Sequence, residues 1–352
     1  MSTPNARLFA LAATVACALV ATSAHAQDNK TLYIGMNGGD MERSYTRYVF
    51  PAFEKIHGVK VVVVPGTSSD ILAKVQASKE KPPVHVMFLD DGVMMRAIKM
   101  GLCSKLADSP VLKDLYPSAR MGGDMAAGVN VGMTGIAYNK KMFDEKKWPA
   151  PTSWMDFADP KFKGKVVFQS MPASSFGLHG FLMFNRIQGG SEKNVDPGFA
   201  KWGSTIGPNV LEYIPSSGKL SEMVQNGEAA IFPLTPTGVA TQKARGVPME
   251  YAQPKEGSVL LMVAECVVAN NNNPAMAQKL AEFLLSPQAQ AAALEFGNQI
   301  PSNLKTSITN ATSQATVDRF KGYMKTVVTL DWEAINAVRP EWNARWNKSV
   351  ER

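Results

Sequence analysis

The sequence is poor in cysteine and histidine, with three and four residues among 352. No Cys-x-x-Cys pair occurs, and His57, His85 and His179 stand far apart, so the spacing of zinc sites and thiol-redox centres is missing. His85 alternates within an apolar strand pattern, which favours a structural histidine over a metal ligand. No His-Glu-x-x-His, Gly-x-Ser-x-Gly or Walker-type glycine loop is present. We therefore expect no metal, no other cofactor and no enzymatic activity.

Long apolar runs and blocks of like charge are also absent from most of the chain. The longest apolar stretch after the N-terminus, residues 259–269, contains Glu265 and is shorter than the ~20 residues that cross a bilayer as a helix. The formal net charge is +7, with both signs scattered along the chain. We expect no nucleic-acid partner, because nucleic-acid binding needs a concentrated basic patch.

The N-terminus has the features of an export signal. Arg7 precedes an apolar run of 13 residues, 8–20, and Ala24 and Ala26 fit a small-residue cleavage site. That order predicts a secretory signal peptide over residues 1–26. Cys17 is the candidate lipidated residue of a lipoprotein, but residues 14–16 form a poor lipobox. The mature chain is expected to begin near Gln27.

Signal removal leaves two cysteines, Cys103 and Cys266. An oxidising compartment permits a disulfide between them. Their separation of 163 residues does not reveal how close they lie in space. A Cys103–Cys266 bridge and two buried free thiols therefore remain open as alternatives.

Apolar strand patterns alternate closely with amphipathic helix patterns from Thr31 onward. Strands are predicted at 31–36, 59–64 and 84–89, and helices at 42–57, 69–78 and 92–100. Such alternation predicts an α/β fold with a mostly parallel sheet covered by helices. Ligands of such folds bind where loops meet the carboxyl ends of the strands. A second α/β pattern follows residues 148–154, and a mature chain of about 325 residues favours two domains.

Four stretches carry a family resemblance through their order and spacing. They are residues 152–167 (TSWMDFADPKFKGKVV), 226–231 (NGEAAI), 254–257 (PKEG) and 273–287 (NPAMAQKLAEFLLSP). From about Thr31 to its end, the chain resembles a type II periplasmic binding protein of an ABC importer. The group it resembles, the family-1 extracellular solute-binding proteins, includes polyamine- and iron-binding members.

The resemblance implies a two-lobed fold that closes over a ligand by hinge motion, with crossings near Asn139 and Glu265. We expect lobe 1 at 27–138 and 266–330, lobe 2 at 139–265, and a C-terminal helical segment at 331–352 that packs on the lobes. The implied protein is a periplasmic monomer that binds a small molecule and presents it to an ABC permease. A sensor at the membrane in place of the permease is an alternative.

The candidate ligand-binding stretches depart from the polyamine and iron patterns of the family. Polyamine-binding relatives use acids and aromatic rings, whereas residues 170–175 lack a carboxylate and residues 233–237 lack an aromatic ring. Residues 261–264 also lack the Trp and Asp expected near the second hinge. Iron-binding relatives use adjacent tyrosines, and no Tyr-Tyr pair occurs. Polyamine binding, ferric-ion binding and a secreted hydrolase remain the alternatives.

Hydroxyl side chains recur at the predicted helix starts that border the cleft. Converging helix N-termini bind anions, which favours a small organic anion such as a carboxylate or phosphonate. The competing interpretation is that these residues are ordinary N-caps, which need no ligand. The predicted ligand-binding residues are Asn37, Gly38, Gly66, Thr67, Ser68, Ser69, Asp90, Asp91, Ser174, Ser175, Ser216, Ser217, Thr235, Thr237 and Glu265.

Overall fold

The computed structural model describes residues 30–351. The predicted signal peptide, 1–26, lies outside the described residues. Within them, no helix is long and apolar enough to cross a membrane.

Twelve strands form within the described residues. They are β1 (Thr31–Met36), β2 (Lys60–Pro65), β3 (Val86–Asp90), β4 (Cys103–Ser104), β5 (Arg120–Met121), β6 (Ala126–Asn139), β7 (Val166–Gln169), β8 (Val210–Ile214), β9 (Ile231–Leu234), β10 (Met249–Ala252), β11 (Val259–Val268) and β12 (Ile300–Pro301).

Fourteen α-helices accompany these strands in the same part of the chain. They are α1 (Asp40–Ser44), α2 (Phe50–His57), α3 (Ser68–Ala77), α4 (Asp91–Lys99), α5 (Pro110–Lys113), α6 (Lys140–Lys146), α7 (Ser175–Ile187), α8 (Asp196–Trp202), α9 (Leu220–Gln225), α10 (Pro236–Lys243), α11 (Pro274–Leu284), α12 (Pro287–Gly297), α13 (Ala311–Tyr323) and α14 (Trp332–Ser349). A π-helical turn, Tyr45–Val49, joins α1 to α2, so the helix predicted over 42–57 has an irregular middle.

The main sheet contains two parallel strand sets with two long antiparallel strands between them. Its order is β2-β1-β3-β11-β6-β9-β7-β8. β1 pairs in parallel with β2 and β3, and β7 pairs in parallel with β8 and β9. The central strands β6 and β11 are antiparallel to each other. The predicted α/β fold, with parallel strand sets and crossing strands, is confirmed.

The strand β6 passes from one parallel set to the other. Its residues 127–134 pair with β11, and its residues 135–138 pair with β9. The buried side chains divide at the same place, because Val129 belongs to the core around β3 and Ile136 to the core around β7. On β11 the change falls between Val259 and Met262. We use lobe 1 for the part around β1–β3 and lobe 2 for the part around β7–β9.

Apolar burial stabilises each lobe separately. Val86, Met87, Phe88 and Leu89 of β3 are all fully buried, as expected for a parallel strand with helices on both faces. Burying each such side chain stabilises the fold by roughly 1.5–3 kcal/mol. Lobe 2 has an aromatic core in which Trp202 stands edge-on to several rings. The buried side chains of lobe 1 thus form a cluster separate from those of lobe 2.

A disulfide joins Cys103 and Cys266, whose Cα atoms lie 5.6 Å apart. Cys103 belongs to the short strand β4, which pairs with β11 beside Cys266. Both cysteines are buried in the core of lobe 1. The structure therefore contains the bridge and not two free thiols.

The C-terminal helix α14 contacts both lobes. Its first residue, Trp332, donates a hydrogen bond from Nε1 to Asp91 Oδ2 of lobe 1 at 3.0 Å. Gly92 permits this approach, because a Cβ atom there would lie 2.4 Å from the Trp332 ring. Further along the helix, Trp346 packs edge-on against Phe181 in lobe 2. The helix α14 thus connects the two lobes outside the crossing strands.

Candidate ligand-binding cleft

A cavity of about 710 Å³ lies between the lobes. Its walls come from the loops after β1, β2 and β3 in lobe 1 and after β7, β8 and β9 in lobe 2. These loops meet because the carboxyl ends of parallel strands share one edge of a sheet. The volume is in the range of pockets that hold a small organic molecule.

Thirteen of the fifteen predicted ligand-binding residues line this cleft. Lobe 1 provides Asn37, Gly38, Gly66, Thr67, Ser68, Ser69 and Asp90, and lobe 2 provides Ser174, Ser175, Ser216, Ser217, Thr235 and Thr237. The fold brings these residues together, and their contact with a ligand stays a prediction.

Two predicted acids, Asp91 and Glu265, do not line the cleft. The Asp91 carboxylate instead accepts hydrogen bonds from the Gly92 backbone and from Trp332. Burial, followed by the nearby charge of Asp90, raises the pKa of Asp91 to about 7. Glu265 is fully buried in β11, where it pairs with Phe88 of β3, two residues further into lobe 1 than the pair of Val263 and Asp90 at the cleft edge.

Four of the predicted hydroxyls are helix N-caps. The hydroxyl oxygens accept backbone N–H groups as follows: Thr67 from Asp70 at 3.2 Å, Ser174 from Phe176 at 3.2 Å, Thr235 from Gly238 at 3.0 Å, and Ser216 from Gly218 at 3.4 Å. Asp70 returns the contact by accepting the Thr67 N–H, which completes a capping box. Ordinary capping therefore accounts for these four positions, and it fixes the loops that form the cleft.

Other hydroxyls converge on Asp90, the last residue of β3. Ser68 Oγ accepts the backbone N–H of Asp90 at 3.0 Å. From the opposite lobe, Ser175 Oγ donates to Asp90 Oδ2 at 2.5 Å. Burial raises the pKa of Asp90, while the hydroxyls of Ser175 and Ser68 act in the opposite direction. Asp90 is thus a point where the two lobes meet inside the cleft.

A second contact between the lobes involves charged residues. Arg43 of α1 and Arg245, which follows α10, both form ion pairs with Asp40, and all three line the cleft. Gln242 Nε2 also donates to Asp40 Oδ2 at 2.8 Å. Two guanidinium groups share one carboxylate, so this ion-paired group carries a formal charge of +1.

The sequence pattern did not predict these two arginines. Arg43 lies three residues after the loop 37–40, which was expected at the cleft. This short separation is the sequence feature from which its place at the cleft could have been predicted. Arg245 carries no such signal, because it reaches Asp40 only through the placement of lobe 2 against lobe 1.

The described lining residues include one aromatic side chain, Phe176, and no histidine. Within residues 30–351, no group of three His, Cys, Asp or Glu side chains is arranged to hold a metal ion. The polar groups of the cleft are therefore hydroxyls, amides, backbone groups and charged side chains.

Two α/β lobes, crossing strands and a ligand-sized interlobe cleft define the class of two-lobed solute-binding proteins. Solved structures share this fold at low sequence identity. A periplasmic binding protein of Actinobacillus pleuropneumoniae with fructose-6-phosphate bound is 21% identical, has a TM-score of 0.76, and is matched over 92% of this chain and 99% of that chain. A GABA receptor is 19% identical, has a TM-score of 0.72, and is matched over 90% of this chain and 96% of that chain.

The chain belongs to the bacterial extracellular solute-binding protein family, whose model matches residues 49–321. The spermidine/putrescine-binding periplasmic protein of Escherichia coli is 27% identical over 312 residues, which cover 83% of each chain. A periplasmic protein of Salmonella typhimurium named for 2-aminoethylphosphonate binding is 23% identical over 355 residues, covering 95% of this chain and 96% of that protein.

Proposed function

We propose that this protein captures a small organic anion, such as a carboxylate or phosphonate, in its interlobe cleft and delivers it to an ABC permease. In this proposal the signal peptide, 1–26, directs export to the periplasm, and the mature protein is a monomer. It binds its ligand without chemical turnover and has no nucleic-acid partner. The observation that carries the ligand class is the excess positive charge where Arg43 and Arg245 share Asp40.

Guanidinium groups suit this role, because their planar donor pairs match the oxygen atoms of carboxylates and phosphonates. Arg43 belongs to lobe 1 and Arg245 to lobe 2, so an anion between them contacts both lobes. Such a ligand favours the closed arrangement over an open one. The N-termini of α3 and α7 add positive dipole ends around the same cleft.

The named ligands of several similar proteins agree with this class. Fructose-6-phosphate, 2-aminoethylphosphonate and GABA each carry an acidic group. The sequence similarity to polyamine-binding proteins makes a polyamine the second candidate. A polyamine needs carboxylates or aromatic faces at several points. Among the described lining residues, Asp90 is the one acid that neither forms an ion pair nor belongs to a capping box, and Phe176 is the one aromatic residue.

A hydrolase is the alternative of another class. Acyl and phosphoryl transfer usually need a base placed beside a nucleophile. The lining residues described above contain several serines but no histidine, and the carboxylate beside Ser175, Asp90, is engaged in a contact that joins the two lobes. This composition supports binding without turnover.

Isothermal titration of purified mature protein with butyrate, ethylphosphonate and putrescine tests the proposal. Both anions are expected to bind, and Arg43→Gln and Arg245→Gln are each expected to weaken them about 10-fold, since one charge-assisted hydrogen bond is lost. Lys243→Gln is the matched control, because Lys243 pairs with Glu250 and does not line the cleft. Binding of putrescine without either anion would contradict the proposal.

A further inference from the structure

Asp90 has no counter-ion in the cleft. Its carboxylate accepts the Ser175 hydroxyl, but no lysine, arginine or histidine within residues 30–351 pairs with it. The other two lining acids are compensated, since Asp40 pairs with two arginines and Asp70 belongs to the Thr67 capping box. Asp90 is half-buried at the cleft wall, and a carboxylate partly withdrawn from water without a cation gains from a partner that supplies positive charge.

The neighbouring residue, Asp91, supplies no positive charge to Asp90. The Asp91 carboxyl lies behind the cleft wall, hydrogen-bonded to Trp332, and the charge of Asp90 acts on it. The basic side chains among the described lining residues are Arg43 and Arg245, and both pair with Asp40. The cleft therefore has a negative part at Asp90 and a positive part at Arg43 and Arg245.

We propose that Asp90 selects a ligand with an ammonium group, so that the transported solute is a zwitterion: an amino-substituted carboxylate or phosphonate. The ammonium group pairs with the Asp90 carboxylate, and the acidic group faces Arg43 and Arg245. The acidic half of this assignment rests on the proposed function above. The ammonium half rests on the unpaired carboxylate of Asp90.

A purely structural role for Asp90 predicts a different outcome. If Asp90 only joins the lobes through Ser175, then its replacement weakens every ligand by the same factor. If it pairs with an ammonium group, its replacement weakens amino-bearing ligands and leaves their amine-free analogues nearly unchanged. The ratio of the two affinities therefore separates the roles.

The experiment is isothermal titration with two matched pairs, 4-aminobutyrate against butyrate and 2-aminoethylphosphonate against ethylphosphonate. Wild-type protein is expected to prefer the amino-bearing member by about 10- to 100-fold, the range of a charge-assisted hydrogen bond. Asp90→Asn is expected to reduce that preference to less than about 3-fold. Asp40→Asn is the matched control, because it removes a carboxylate from the same cleft that is already paired; the preference is expected to persist.

Each result decides between the two proposals. Equal binding of both members of a pair by wild-type protein overturns the zwitterion assignment and leaves the anion proposal standing. Binding of none of the four compounds overturns the anion proposal itself. A preserved amine preference in Asp90→Asn overturns the role of Asp90. If Asp90→Asn does not fold, as judged by circular dichroism, Asp90→Glu keeps the charge and is expected to keep the preference; loss of the preference in that folded variant counts against the assignment.

Discussion

Ser175 Oγ lies 2.5 Å from Asp90 Oδ2, so the first residue of α7 in lobe 2 hydrogen-bonds the last residue of β3 in lobe 1. Gln242 and Asp40 form a second hydrogen bond between the lobes. Both contacts join cleft-lining residues, and both must break for the cleft to widen. Closure of the lobes is thus connected directly to the groups that face the cavity.

Ser175→Ala is expected to favour the open arrangement of the lobes. The variant loses a hydrogen bond to a carboxylate, which is worth about 1.5–3 kcal/mol in a buried setting. Small-angle scattering without ligand should give a larger radius of gyration for the variant than for wild-type protein. Ser69→Ala is the control, because Ser69 lines the same cleft outside this contact. Superimposable curves for Ser175→Ala and wild-type protein would show that the bond does not control closure.

The Cys103–Cys266 bridge is expected to stabilise lobe 1. It closes a loop of 163 residues in sequence, and a disulfide over a long loop typically contributes about 2–4 kcal/mol. The double variant Cys103→Ala and Cys266→Ala should lower the free energy of unfolding by that amount in urea titrations. Dithiothreitol should destabilise the wild-type protein and leave the double variant unchanged. An equal response of both proteins to the reductant would contradict this prediction.

Asp91 is expected to make stability depend on pH. Its pKa is raised from 3.8 to about 7 by burial and by the charge of Asp90. Between pH about 4 and 7, the folded chain holds a proton on this group that the unfolded chain has released. Stability therefore falls as the pH rises through that interval and changes no further above it.

Asp91→Asn removes this dependence of stability on pH. The free energy of unfolding of the variant, relative to that of wild-type protein, should therefore increase by a few kcal/mol from pH 4.5 to pH 7.5. Urea titrations at both pH values measure the difference. Asp108→Asn, at an exposed acid, provides the comparison for removal of a carboxylate without burial. Parallel pH profiles for wild-type protein and Asp91→Asn would disprove the assignment.

Local patterns predicted most of the secondary structure, whereas contacts between distant residues needed the structure. Strand β1 was predicted with the bounds that the structure has, and helix α3 to within one residue at each end, because hydrophobic periodicity is a property of neighbouring residues. The bond from Ser175 to Asp90 joins residues 85 apart, and the bond from Gln242 to Asp40 joins residues 202 apart. No periodicity encodes such pairings.

The same distinction explains which site residues could be interpreted from sequence. The spacing of Thr67 and Asp70 is that of a capping box, so a local rule accounts for the Thr67 hydroxyl. Ser175 has an equally ordinary position at a helix start, but its hydroxyl contacts Asp90 of the other lobe. Glu265 was expected at the cleft because a hinge crossing was placed near it, but its pairing with Phe88, two residues inward from Asp90 on β3, places it in the interior of lobe 1.

Glu265 provides the last prediction, because it is an acid buried without partners. Both carboxyl oxygens lack hydrogen bonds within the described structure, and the side-chain nitrogen of nearby Asn130 also lacks one. Burial raises the pKa of Glu265 well above its ordinary value, so folding favours the protonated form of the group. Glu265→Gln preserves the shape of the neutral acid, and we expect its stability to be within about 1 kcal/mol of wild-type protein near pH 5.

As the pH rises above 5, wild-type protein should lose stability relative to Glu265→Gln, since the unfolded chain releases a proton that folded Glu265 retains. Urea titrations at pH 5 and pH 8 measure this change, with Glu228→Gln as the exposed control. Glu265→Ala, by contrast, leaves a cavity and should cost stability at both pH values, by about 2 kcal/mol or more. A loss of several kcal/mol in Glu265→Gln at both pH values would instead show that the carboxyl group makes an essential hydrogen bond or carries its charge in the folded state.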